Sequence, residues 1–113
     1  MEVYAHARNV RIAPRKVRLV VDSVRGMPVH RAMSQLQLMP QKAAREVYKA
    51  VKSAVANAEN NYGLEPDSLI VARIWANEAR VMKRWRPRAH GRVSPLLSRS
   101  SHITVVVDER RLS

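Results

Sequence analysis

Apolar residues recur along this chain with two periods, and the switch between them organises it. Residues 3–12, VYAHARNVRI, alternate in part and suit a strand. Val17, Val20, Val21 and Val24 then fall at i, i+3, i+4 and i+7, which predicts a helix from Pro14 to Gly26. Pro14 sits in its first turn, where a missing N–H costs nothing, and Gly26 supplies a left-handed stop. Val29, Ala32, Met33 and Leu36 repeat the spacing and predict a second helix between Pro28 and Pro40. Ala44, Val47, Val51, Ala54, Val55 and Ala58 predict the longest helix, from about Gln41 to Asn60, with small alanines that allow close packing. NNYG at 60–63 ends it, and EPD at 65–67 is a turn.

Beyond that turn the pattern becomes short, β-branched and strand-like, in LIVARIW at 69–75 and HITVVV at 102–107. The order β-α-α-α-β-β predicts an α+β fold: three helices packed on a small three-stranded antiparallel sheet, in a single domain over 1–113. Between the last two strands lie about twenty-five residues, more than the roughly 12–15 that a structureless loop spans in a compact domain. Read as a hairpin with about twelve residues per arm, the segment reaches roughly 40 Å. A domain of this size has a radius of gyration of only about 13 Å. The expectation is therefore a β-hairpin extension at about 77–101 that projects from the body.

Charge sharpens that picture. The chain carries 21 Lys and Arg against 9 Asp and Glu, a formal charge of +12, and Arg outnumbers Lys. The Arg fork bonds phosphate bidentately and stacks on bases, which points to a polyanion, a nucleic acid or an anionic surface, ahead of a merely solvated face. Six cations, Arg80, Lys83, Arg84, Arg86, Arg88 and Arg92, crowd into the thirteen residues of RVMKRWRPRAHGR, with no acid among them. Trp85 there can stack on an unpaired base, and Ala89 and Gly91 admit close backbone approach. A second cluster, Arg15, Lys16 and Arg18, follows the first helix start, with Arg8 and Arg11 upstream and Arg25 near the helix end.

Other chemistries find little support. With no cysteine, disulfides, thiolate zinc sites and Cys nucleophiles are excluded. His6, His30, His90 and His102 lack ligand spacing, so neither a metal nor a cofactor is expected. No apolar run suits a membrane span, and the N-terminus lacks the apolar stretch of a signal peptide. From the residues alone, two rivals to a scaffold that positions RNA stay open. One is a free-standing single-strand or architectural binder; the other is a nucleic-acid hydrolase using Glu78, a residue better suited to pairing with a nearby Arg.

PRKVRLVVDSVRG at 14–26, VKSAVANAENN at 51–61, MKRWRPRAHGR at 82–92 and SSHITVVV at 100–107 together resemble the family of bacterial large-subunit ribosomal protein number twenty-two, in order and spacing over nearly the whole chain. The resemblance implies a non-enzymatic structural constituent of the ribosome that binds several domains of large-subunit ribosomal RNA and supports subunit assembly. It implies that the β-hairpin lines the nascent-peptide exit tunnel, with Met82, Lys83, Arg84, Trp85, Arg86, Pro87, Arg88, Ala89, His90, Gly91 and Arg92 at its tip. Arg99, on the returning side, joins Arg8, Arg11, Arg15, Lys16, Arg18, Arg25, Arg80 and the tip cations as an expected rRNA contact. Expected partners are rRNA, neighbouring large-subunit proteins and the nascent peptide in transit, with neither a membrane nor a second copy of the chain. The implied location is a cytoplasmic ribosome of bacterial type, an organellar one being left open. The sequence departs from the family pattern at Asn77 to Arg80, at Trp85-Arg86 and at Val93-Ser94-Pro95.

Overall fold

The computed structural model describes residues 1–79, 82–87 and 93–109, the segments 82–87 and 93–98 as backbone only. Pro14 opens α1 (Pro14–Val24), and all four valines of its stripe are buried. The helix stops where Gly26 takes a φ of 81°, and the Gly26 N–H then bonds the Val71 carbonyl at 2.8 Å. Pro28 precedes α2 (Val29–Leu38), which buries Val29, Ala32 and Leu36. α3 (Lys42–Tyr62) runs two residues further than the sequence suggests, because the left-handed cap falls on Gly63, whose N–H reaches the Ala58 and Glu59 carbonyls. A 3-10 turn, Pro66–Ser68, leads into the sheet.

β1 (Val3–Val10) pairs with β5 (Ser101–Glu109), and β5 pairs with β2 (Leu69–Glu78), all antiparallel, in the order β1-β5-β2. The expected α+β class and three-stranded sheet are therefore found. One sheet face, with Val3, Ala5, Val71, Ile74, Ile103, Val105 and Val107, packs under the helices to form the core. α3 lies against β1 and β5, while α1 lies against β2 and α3. Five fully or nearly buried alanines on α3, at 43, 44, 50, 54 and 58, permit that close approach. Among the described residues, no helix is long and apolar enough to cross a membrane.

A bulge breaks the alternation of β2 between Val71 and Arg73. Leu69 and Val71 point inward before it, Ile74 and Ala76 after it, so one strand presents two phases of a period-two pattern. β2 pairs with β5 along only one edge. The other edge is covered by α1 and the loop after it: Gly26 and Met27 exchange bonds with Val71, and Pro28 bridges Ile70. That cover protects an otherwise open strand edge.

At the far end of β2 the Ala79 N–H bonds the Ser100 carbonyl at 2.9 Å, extending the pairing beyond Glu78↔Ser101. β3 (Met82–Pro87) and β4 (Val93–Ser98) then form their own antiparallel ladder, from Met82↔Ser98 to Pro87↔Val93. The molecule measures 66 × 26 × 21 Å along its principal axes.

Candidate nucleic-acid interface

The connection from β1 to α1, residues 11–13, is the centre of the candidate site. β1 leaves its regular pairing after Ala7↔Ile103 and resumes at Val10↔Ser101. Asn9 lies inside this irregularity at a φ of 58°, a left-handed conformation that Asn tolerates better than most residues. Its N–H donates to His102 Nδ1 at 3.1 Å. The buried Ser101 hydroxyl donates to the Ile12 carbonyl at 2.6 Å, fixing the connection from the sheet side. Arg8 and Arg11 flank this bend and both are exposed.

Three open clefts abut the connection. The first, about 440 Å³, lies among Arg8, Asn9, Arg11, Lys42 and Glu46. The second, about 390 Å³, has Arg11, Lys16 and Lys42 around Ile12, Leu19 and Gln41. The third, about 400 Å³, lies among Arg15, Arg18, Glu78 and Arg99. Arg11, Ile12 and Lys42 are common to the first two, and Ala13 to the second and third, so the clefts form one continuous face.

Electrostatics on this face favour an external anion. α1 and α3 both begin without a side-chain cap and without an acid in the first turn. The first N–H groups and the dipole of a helix start normally attract Asp or Glu. Here Arg15, Lys16 and Lys42 stand there instead, so the positive ends of two helices and three cations add up. Among the described residues Arg8, Arg11, Arg15, Lys16 and Lys42 have no ion-pair partner. Phosphate groups satisfy that combination of donors and charge.

The other expected cations are placed differently. Arg18 Nε donates to the Ala76 carbonyl at 3.2 Å, and Arg25 Nη2 to the Ile74 carbonyl at 2.8 Å. Arg25 Nη1 also pairs with Asp22 at 2.8 Å. Both side chains thus hold α1 to the edge of β2 that does not pair with β5, and Arg25 lines none of the three clefts. Arg99 is at the face but pairs with Glu78 at 3.2 Å, the pairing that the sequence favoured for this acid. Lys42, which lines two clefts, was missed. Its signal was a cation at a helix start, directly after Pro40-Gln41, where the dipole disfavours one.

Of the expected hairpin residues, Met82, Lys83, Arg84, Trp85, Arg86 and Pro87 lie on β3. Arg80, Arg88, Ala89, His90, Gly91 and Arg92 lie outside the described residues. His6 Nδ1 lies 3.2 Å from the Thr104 hydroxyl, and His30 Nε2 lies 2.7 Å from the Asp67 carboxylate. No group of three His, Cys, Asp or Glu that could hold a metal occurs among the described residues.

The family model described as ribosomal protein L22p/L17e matches residues 5–108. That span takes in most of β1, the cationic face, all three helices, β2, the β3–β4 ladder and nearly all of β5. The chain belongs to the ribosomal protein L22p/L17e family.

Proposed function

We propose that this chain joins segments of large-subunit rRNA across its β1–α1–α3 face, supports assembly of the subunit, and lines the nascent-peptide exit tunnel with the segment at about 77–101. Family membership makes it a structural, non-enzymatic constituent of a cytoplasmic or organellar ribosome, with rRNA and ribosomal proteins as partners. The observation that carries the proposed contact surface is the run of three cation-lined clefts around residues 11–13, where Arg8, Arg11, Arg15, Lys16 and Lys42 have no ion-pair partner among the described residues. Arg8, Arg11, Arg15, Lys16 and Lys42 neutralise phosphates there, and Arg18 and Arg99 do so with the donors their protein contacts leave free.

The tunnel role rests on the resemblance and on two observations that support it. β3 and β4 share no strand with the main sheet, and the long axis of 66 Å far exceeds the other two. The six cations from Arg80 to Arg92 meet rRNA along this arm, and Met82 to Arg92 form its tip beside the passing peptide. Stalled nascent chains carrying a photo-crosslinker at successive distances from the peptidyl end test this. A crosslink to residues 82–92 is expected; crosslinks only to other proteins and to rRNA, with none to this chain, refute the tunnel role. Retention on purified large subunits through a high-salt wash is expected as well, whereas release at moderate salt favours a free-standing nucleic-acid binder.

A further inference from the structure

The middle cleft of the cationic face differs in kind from its neighbours. Both flanking clefts include a carboxylate, Glu46 in one and Glu78 in the other. The middle one has none, and its floor is apolar: Ile12, Ala13, Leu19 and Ala43. Leu19 projects from α1 one turn beyond Lys16 and is 68% exposed. Arg11, Lys16 and Lys42 rim this floor without ion-pair partners among the described residues. Gln41 stands at the edge, its side-chain amide likewise without a hydrogen-bond partner. A phosphate patch needs no exposed leucine, and an apolar protein contact needs no rim of three cations.

We propose that this cleft holds a single unstacked rRNA nucleotide. Its base lies on Leu19 and the adjoining apolar floor, Gln41 bonds the base edge, and Arg11, Lys16 and Lys42 take the flanking phosphates. A base has an apolar face, a polar edge and an anionic backbone, and the cleft offers a match to each. Its volume, about 390 Å³, lies within the ~300–1,000 Å³ of small-molecule sites. An acidic peptide would match the rim and leave the floor uncovered. The proposal rests on the rRNA-binding reading above and specifies what one part of that surface recognises.

The test uses the full chain and transcribed large-subunit rRNA, with affinity measured over a salt series and base accessibility probed with dimethyl sulfate. Lys16→Ala should weaken binding and flatten the salt slope by roughly 0.7–0.9. Leu19→Ser, at an exposed position that leaves the core intact, should weaken binding about five-fold through lost apolar contact, with the slope unchanged. It should also uncover one unpaired base that the native chain protects. Native affinity and native base protection in Leu19→Ser, beside a weakened Lys16→Ala, would overturn the nucleotide site and leave the rRNA reading standing. Loss of selective rRNA binding by the native chain would overturn both. Since the chain has no cysteine, a photo-crosslinker on Leu19→Cys in assembled subunits reports one place only. A crosslink to rRNA supports the site, and a crosslink to a protein neighbour overturns it.

Discussion

The Arg18 Nε and the Ala76 carbonyl oxygen lie 3.2 Å apart, and that contact joins α1 to the outer edge of β2. Seven residues on, just past the end of the helix, Arg25 repeats it at Ile74, two residues back along the strand. The helix and strand thus run past each other with Arg side chains on alternate carbonyls. Some of the basic charge in this chain therefore maintains the fold. Arg25, which is also bonded to Asp22, has both terminal nitrogens committed. Arg25→Ala should cost about 1.5 kcal/mol of stability, as expected for charged hydrogen bonds on a partly exposed group. Arg15→Ala should stay within about 0.5 kcal/mol of the native protein. Urea unfolding of both variants checks the difference; equal losses would contradict it.

Close helix–sheet packing depends on the alanines of α3. Ala54 has no exposed surface, so Ala54→Leu should overpack the interface and cost about 1–3 kcal/mol. Leu38→Ala, at a position 86% exposed, should change stability by less than about 0.5 kcal/mol. Thermal unfolding compares the two directly.

The outer face of the sheet holds an aromatic and ionic cluster. Arg73 bonds Glu2 and the Tyr4 hydroxyl, and its guanidinium carbon lies 5.9 Å from the centroids of both the Tyr4 and Trp75 rings. The Glu2 hydrogen bond, aided by the Glu2 charge, raises the Arg73 pKa above its already high ordinary value. A raised folded-state pKa gives stabilisation that is complete below the unfolded-state value and is lost only as pH rises through the folded one. Both values lie above the neutral range, so Arg73 adds no pH dependence there. The difference in Tm between the native protein and Arg73→Leu should accordingly be the same at pH 6 and pH 9. A difference that shrinks towards pH 9 would contradict this.

Glu78 opposes the positive face by pairing with Arg99. Glu78→Gln should tighten rRNA binding at low salt, with the gain fading as salt rises. Weaker binding would contradict this, and a metal-dependent RNA cleavage that disappears in this variant would instead support a role for the acid in hydrolysis.

Helix positions were legible because valine and alanine at 3.6-residue spacing leave one packing solution: the α1 stripe is buried as expected, and so is the α3 stripe apart from Val55, which is partly buried. Strand extents were less so. The bulge at Val71–Arg73 shifts the inward phase of β2, and the polar ends Asn77, Glu78 and Ser101 pair through backbone groups that residue type does not report. Cations were legible as a class but not by task. Arg15 and Arg25 look alike in sequence, and only the position of the β2 edge separates a free guanidinium from one tied to a carbonyl. Lys42 joins the face because the start of α3 meets the β1–α1 connection, a tertiary fact.

The central claim is that rRNA is held at the β1–α1–α3 face. α3 is 21 residues long, so its ends are about 30 Å apart. A hydroxyl-radical source tethered to a single cysteine, at Lys42→Cys or at Tyr62→Cys, compares those ends in assembled subunits. Strong rRNA cleavage from position 42 with weak cleavage from position 62 is predicted. Equal cleavage from both, or stronger cleavage from 62, would contradict the claim.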